Sequence, residues 1–524
     1  MKPFEVSRTD PSDETLFPLS AAQRATWFAQ QFDPEVPILI AHYVELRGEL
    51  DVELLDRETR AVAYEFQSPL LKVIEIDGQP MQYVDETSEI TVRLVDLRGS
   101  PDPIEDALGW MRRDSRTQLD LAVDGIVATA VLRVGDAHYL WYSRIHHVAL
   151  DGFGAMTMMN RIAHRYSASA ARKDSQPSRA ATLRTLYDID ERYRMSDRFA
   201  ADREYWAERN TTLAGSSLAE ASGPAQTESR LESTLMSDRS CALLYESENH
   251  AAPVIAALAL YLARMTAKET VQIHVPMSGR TTAVLRDSGG MMVNVTPLLI
   301  RVAAVDTVGE LFAQVQHELM GALRHQRCSL DDIRRDAGVT SGLEGEDSYA
   351  GPMVNVMLFR QEVQLGEVVG EYHIVTSGPV EDLLVNVYPS GDRLRVDFRA
   401  NPIRYEEAGL REHHRNFVGL LEELIASDSG AELADIHGPT AREGERRQRE
   451  VRHLEYWRHE LAGAPELLQL PFDRPRPATQ SLDSAQVEVL IATDTHARIT
   501  AMASDLGTDT RAVLHASFAL LVSR

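Results

Sequence analysis

The sequence predicts an α/β protein built as two lobes. Strand-like and helix-like segments alternate through most of the chain, and a small-residue, polar, proline-containing stretch at 167–182 divides the pattern. A late segment replays an earlier one: Glu204-Tyr205-Trp206 with Leu213-Ala214-Gly215, then Glu455-Tyr456-Trp457 with Leu461-Ala462-Gly463.

Residues 1–15 are polar, acidic and without periodicity, which predicts a flexible arm. Apolar residues recur at helical spacing behind Ser20 as N-cap, giving a first helix over about 20–31. Ile40, His42, Val44 and Leu46 alternate with their neighbours as in a strand, and a helix reopens over about 51–64. Strand patterns follow in PLLKVIEID, QPMQYVD and ITVRLVDL, then a helix over 103–117, then GIVATAVLRVG and HYLWYSRIHHV around a Gly-Asp turn. Beyond the linker come helices near 182–212, the strand ESRLESTLM, and two helical runs ending in HAAPVIAALALYLARMT. The strands VQIHVPM, VNVTPLLIRV, VNVMLF, YHIVTS, LLVNVYP and LRVDFRA then surround a helix over 307–325. The expected boundaries are an arm at 1–15, lobes at 16–180 and 181–435, and a linker with a partial repeat of the second lobe at 436–524. The repeat stops mid-unit, the pattern of a truncated or recombined chain.

With 54 Lys+Arg against 79 Asp+Glu in 524 residues, the net charge is −25, which argues against nucleic acid as a partner. The first twenty residues carry charge and proline where a secretory signal needs an apolar run, and no apolar stretch is long enough to span a bilayer, so a cytoplasmic, membrane-free protein is expected. Cys241 and Cys328 lack disulfide or zinc spacing and read as inert thiols.

The chemistry concentrates in WYSRIHHVALDGFGAMTMMN. A strand ends in His146-His147, three residues intervene, and Asp151-Gly152 opens a helix. A histidine on such a loop faces a cleft while rigid elements hold its backbone, and imidazole accepts a proton near neutral pH. Asp151 could orient the imidazole, or turn inward to pair with an arginine and clamp the loop. Gly152 allows the close turn. Adjacent histidines without a third ligand at usable spacing argue against a metal, and the absence of a GxSxG elbow or a phosphate-cradling loop argues against a serine hydrolase or nucleotide site.

HHVALDG resembles the signature of the condensation domains of nonribosomal peptide synthetases. PLSAAQRATWFAQQ (Ser20, Gln23, Trp27), EYW at 204–206, Pro276 to Arg280, GGMMVNVTPL and HQRCSLDDIRRD resemble further blocks of that family in the same order, over about 16–430. AHYVELRGEL, RHQRCSLDDIRRDAG and TSGPVEDL are most similar to the first condensation domain of enterobactin-type, seryl-adding synthetases. The tail resembles a fragment of a second condensation domain of an amino-acid-assembling type.

The resemblance implies two chloramphenicol-acetyltransferase-like lobes in a V around a central tunnel, entered from opposite faces by the phosphopantetheine arms of two carrier proteins. It implies amide formation between an acyl thioester donor, an aryl starter by first reading, and the α-amine of a carrier-bound aminoacyl acceptor. No cofactor is bound directly. His147 would receive or position the amine proton, His146 shape the loop, Asp151 pair with Arg280, and Gly152 sit near the reacting carbonyl. Asn294 and Ser377 would line the tunnel, and Arg324, Arg327, Arg334 and Arg335 would dock acidic carriers. The family's RHExLRTxF block reads here as YEFQSPLLKVI, with Lys72 but without the arginine that braces the loop. These 524 residues show no adenylation domain and no carrier-protein serine motif, so both activities are expected in trans or in a larger assembly. The alternatives are a catalytically silent remnant or docking scaffold, and a coenzyme A-dependent acyltransferase acting on a free amine or alcohol. Heterocyclisation is disfavoured, because that branch replaces the two histidines with aspartate.

Overall fold

The computed structural model describes residues 15–209, 216–219, 223–226, 228–247, 249–337, 351–358, 362–438, 456–463 and 489–523. They divide into two units, Met1–Val451 and Arg452–Arg524.

The first unit begins with β1 (Phe17–Pro18), α1 (Ala21–Phe32), β2 (Leu39–Arg47), α2 (Val52–Phe66), β3 (Leu71–Ile76), β4 (Gln79–Val84) and β5 (Val92–Asp96). Next come α3 (Pro103–Asp114), the hairpin β6 (Val127–Gly135) and β7 (His138–His146), and α4 (Gly152–Ala170). After the linker stand α5 (Leu183–Arg194), α6 (Asp197–Arg209), β8 (Arg230–Leu235), α7 (Asp238–Glu246), α8 (Ala251–Thr266) and β9 (Thr270–Met277). α9 (Ala283–Arg286), β10 (Asn294–Arg301), α10 (Val308–Arg324) and α11 (Leu330–Asp336) precede β11 (Met353–Val356) and β12 (Glu362–Leu365). β13 (Val368–Thr376), β14 (Leu383–Ser390), β15 (Arg393–Ala400) and α12 (Glu407–Ala426) complete it.

Local chemistry sets the helix starts. Ser20 accepts from the Gln23 amide while the Gln23 side chain accepts from the Ser20 amide, a capping box at α1. Asp51 caps α2, and Thr307 with Glu310 repeats the box at α10. α8 is apolar all round, so it can only be interior; Ala252 to Ala263 are buried against β9, β10 and α12 residues.

The first core lies between one face of a six-stranded sheet, β12-β13-β2-β7-β6-β5, and helices α2 and α4. The second surrounds α8 on the sheet β10-β9-β11-β14-β15-β8. A small sheet, β1-β4-β3, flanks α1.

Three details differ from the pattern reading. Residues 362–376, assigned by sequence to the second lobe, pair into the first sheet: β13 runs antiparallel to β2, with Tyr372 opposite Val44 and Ile374 opposite His42. Alternation marks β13 as a strand but carries no information about its partner, and without it nine-residue β2 would be an exposed edge. α4 reaches Ala170, into the expected linker, whose far end is pinned where the buried Ala181 amide donates to Ser288 Oγ. α3 ends at Asp114, short of 117. The arm lies outside the described residues except for Thr15, and Phe17 is already buried.

In the second unit, residues 456–460 are helical, followed by α13 (Thr493–Asp505) and α14 (Thr510–Val522), the latter capped by Asp509. The strand expected in AQVEVLIA lies outside the described residues up to Glu488, and the rest of it is not strand. The two EYW copies differ. Trp206 is buried with its indole N–H donating to the His325 carbonyl, and Tyr205 stacks on His325. Tyr456 and Trp457 are exposed.

Two helix glycines separate propensity from packing. A Cβ on Gly419 in α12 would meet nothing within 4 Å, so Gly419→Ala is expected to stabilise by about 0.5–1 kcal/mol. A Cβ on Gly321 in α10 would collide with the Tyr205 hydroxyl, so Gly321→Ala is expected to destabilise by about 1–3 kcal/mol despite the better helix former. Urea unfolding of the two variants checks the opposite signs.

Candidate active site

β7 delivers the two histidines to the end of the first sheet, and antiparallel pairing places His146 opposite Leu39. The chain then turns: the His147 amide donates to the Ile38 carbonyl, and the Ala149 amide to the His146 carbonyl. Gln23 Nε2 holds the Val148 carbonyl at 3.2 Å and exchanges a reciprocal pair of bonds with Gln82. The loop is thus braced from α1 and β4. Lys72, in the block that lacks the bracing arginine, caps a different loop by donating to the Val123 and Asp124 carbonyls.

The two imidazoles have different surroundings. His146 is buried; its Nδ1 accepts from the Val148 amide at 3.1 Å, which puts its proton on Nε2, 3.4 Å from Gln30 Oε1. Burial, with His147 and Arg144 adding to it, holds its pKa down to about 3. It is a neutral structural group that shapes the turn. His147 is only half-buried, and its Nδ1 has no hydrogen-bond partner. Burial lowers its pKa below the ordinary histidine value, with the nearby Asp151 charge opposing. An imidazole so placed is neutral at pH 7 and can accept a proton.

Of the two orientations open to Asp151, the structure takes the inward one. Oδ1 caps α4 by accepting from the Gly154 amide at 2.7 Å. Oδ2 accepts from Arg280 Nη1 and from the Met292 and Val293 amides, each at 2.8 Å. Both side chains are essentially inaccessible, at 1% for Asp151 and 0% for Arg280. Arg280 also donates to the Ser278 and Gly290 carbonyls and lies over the Phe153 ring. The pair fastens the histidine loop to residues 278–293. Gly152 is the first residue of α4, exposed, with open space where a side chain would project.

Asn294 borders a cavity of about 250 Å³ together with Gln23, Thr26, Tyr187, Met292 and Gln326. Its amide is fully engaged, however, donating to the Gln326 and Cys328 carbonyls and accepting from the Leu330 amide, so it holds the 326–330 turn. Ser377 is half-buried in the turn that brings Gly378, at φ +97°, beside the His147 ring. A Cβ at Gly378 would stand 3.8 Å from His147 Cδ2. The sequence reading missed Gly378, although its glycine between Ser377 and Pro379 was a turn signal. The arginines separate. Arg324 and Arg335 are exposed, the latter paired with Asp332, and Arg334 is half-buried. Arg327 is an internal brace, stacked 4.0 Å over the Tyr193 ring and donating to the Ile189 carbonyl, with its pKa lowered by burial. It is therefore removed from the docking set.

Cys241 and Cys328 are buried free thiols, the second pushed up to about 12 by burial. No metal-ligating cluster occurs among the described residues, and no helix among them is long and apolar enough to cross a membrane.

Two α/β halves joined by a buried ion pair beneath a histidine loop are the architecture of a two-lobed acyl-transferring domain. The family described as Condensation domain matches residues 13–436 and again residues 439–524, and the chain belongs to it. It is 31% identical over 422 residues to a dimodular nonribosomal peptide synthase of Bacillus subtilis (strain 168), covering 79% of this chain and 18% of that protein. It is 30% identical to enterobactin synthase component F of Escherichia coli (strain K12), covering 78% of this chain and 32% of that protein. The chain thus spans less than a third of the length of these relatives. The starter condensation domain of rhizomide synthetase, solved in complex with C8-CoA, superposes with a TM-score of 0.76 at 30% identity, covering 81% of this chain and 98% of that one. Domains of this family form amide bonds by acyl transfer, and the two-lobed chloramphenicol-acetyltransferase-like fold is theirs.

Removing Asp151 leaves the buried Arg280 charge without its partner. Asp151→Ala is expected to cost about 3–5 kcal/mol, read as a lower urea midpoint. Acid should act through the buried histidines: His146 at about 3, His42 at about 4 and His274 at about 4 stay neutral when folded. Unfolded histidine binds its proton near pH 6.5. Their contribution is complete above about 6.5 and is lost as pH falls toward 4, by up to about 1.4 kcal/mol per histidine per pH unit. Urea unfolding at pH 7.5, 6.5 and 5.5 measures the slope.

Proposed function

We propose that residues 16–438 catalyse amide formation between a carrier-bound acyl thioester and the α-amine of a carrier-bound aminoacyl thioester, in the cytoplasm. The neutral amine nitrogen attacks the donor carbonyl, the C–N bond forms and the C–S bond breaks, and the proton lost from nitrogen ends on the departing thiolate, so the donor carrier leaves with a free phosphopantetheine thiol. His147 accepts or positions the amine proton. The observation carrying this reading is that His147 alone of the pair has a ring nitrogen without a partner, on a loop clamped by Asp151–Arg280. Positioning the amine and managing its proton each contribute to rate. Gly152, with empty space at the start of α4, leaves room for the reacting carbonyl.

An aryl donor of the siderophore type is supported by the similarity to enterobactin synthase component F. A fatty acyl starter is the second reading, supported by the rhizomide starter domain bound to C8-CoA. Adenylation domains and both carrier proteins are partners, with Arg324, Arg334 and Arg335 as the carrier-facing candidates.

The test mixes the full chain with dihydroxybenzoyl-loaded or octanoyl-loaded donor carrier and seryl-loaded acceptor carrier, and reads the acceptor by intact-protein mass spectrometry. Acyl-seryl carrier is expected with the natural chain, and a rate lower by about 10²-fold or more with His147→Ala at unchanged stability. Because the pKa of His147 is lowered, the rate is expected to stay level through pH 7 and to fall only below the ordinary histidine range, as the imidazole protonates. No product from a panel of donors, in a folded sample, would favour the silent-remnant alternative.

A further inference from the structure

Three residues of α1, Gln23, Trp27 and Gln30, are spaced i, i+4 and i+7 and so share one face of the helix. Seven residues make nearly two turns, which aims the two glutamines within about 20° of each other and sets them about 10.5 Å apart along the axis. Trp27, between them, is 9% exposed and belongs to the core cluster that also holds Ile145 and Val148. The stripe is apolar at its centre and polar at both ends.

Each glutamine grips a different side of the histidine loop. Gln23, 4% exposed, donates to the carbonyl of Val148, the residue after His147, and its Oε1 accepts from the Ser20 amide and from Gln82. Gln30 works on the other side. Its Nε2 donates to the Asp33 and Val36 carbonyls, each at 3.1 Å, and its Oε1 accepts from the Ile38 amide at 3.0 Å. Ile38 in turn takes the His147 amide on its carbonyl. The same Oε1 lies 3.4 Å from His146 Nε2, so the side chain before His147 also ends on Gln30.

A carboxamide withdrawn from water is tolerated only where its donors and acceptors are met, and an aliphatic side chain of the same length would fill either position without that demand. Every polar atom of the two glutamine side chains is met, and the bonds run to the start of α1, to Gln82, to the 33–38 turn and to the histidine loop. α1 is itself held at its first turn, where the Ala21 amide donates to Asp190 Oδ2 at 2.9 Å. The Asp151–Arg280 clamp acts four residues past His147, whereas the glutamines act at the residues on either side of it.

We propose that Gln23 and Gln30 are positioning residues for condensation, holding the chain before and after His147 so that its ring meets the amine. The inference rests on the His147 reading above and extends it to two residues that act through the loop. A displacement of about 1 Å at a reacting group can cost on the order of 100-fold in rate.

The test measures kcat, and KM for both carriers, in the mass-spectrometric carrier assay with the full chain. The variants are Gln23→Met and Gln30→Met, each alone and combined with His147→Ala; methionine keeps the length and removes the hydrogen bonds, and urea unfolding establishes that each variant is folded. Each glutamine variant is expected to lower kcat about ten-fold with both KM values unchanged. In the His147→Ala background the same substitution should change the rate by less than about two-fold, because nothing is left to position. Gln30 is only half-buried, so Gln30→Met decides the matter alone should Gln23→Met not fold. A kcat equal to that of the natural chain, a rise in KM at unchanged kcat, or a loss that persists undiminished in the His147→Ala background would overturn the positioning role while leaving the condensation reading in place. A rate indifferent to His147→Ala would overturn the His147 reading and this inference together.

Discussion

A single carboxylate organises this molecule. Asp151 uses one oxygen to start α4 and the other to gather Arg280 and two backbone amides from the 290s. Residues separated by more than a hundred positions are thereby fixed to the loop that carries the histidines. Because both charges are withdrawn from water, neither can be left alone cheaply, and the arrangement behaves as all-or-none. The outer supports, Gln23 on the Val148 carbonyl and His146 on the Val148 amide, refine a loop whose position is already determined.

The two histidines show how environment assigns roles to identical side chains. His146 spends both ring nitrogens inside the protein, on the Val148 amide and toward Gln30. His147, one residue further, leaves the strand, bonds through its backbone, and keeps a ring nitrogen in reserve. Asp151 biases His147 electrostatically without touching it. Burial lowers the pKa of His147, and the Asp151 charge opposes that shift from a distance rather than by direct pairing.

Much of this was readable in the residues because it is local. Ser20 declared the start of α1, Asp51 and Thr307 stood where two further helices open, and the apolar run ending in HAAPVIAALALYLARMT declared a helix, which the structure then caps and buries. The active loop was legible for the same reason: strand, tight turn and N-cap occupy consecutive positions. What was not legible depends on partners distant in sequence. Periodicity marked β13 but could not say that it joins β2. Arg327 looked like a surface charge until Tyr193 and the Ile189 carbonyl were seen to hold it. Asn294 sits where a tunnel residue was expected, yet its amide serves the 326–330 turn. The helix Glu407–Ala426, whose buried residues include two histidines, blurred its own apolar stripe.

The crossing of β13 into the first sheet also orders events in time. β2 is synthesised some three hundred residues before the strand that completes its far edge. During that interval β2 presents free backbone groups along nine residues, five of them large and apolar or aromatic. Folding of the first half on the ribosome must therefore wait, or proceed around an unfinished edge open to the wrong partner. A chain cut before residue 362 would carry that edge permanently, and self-association through β2 is the failure such a fragment invites.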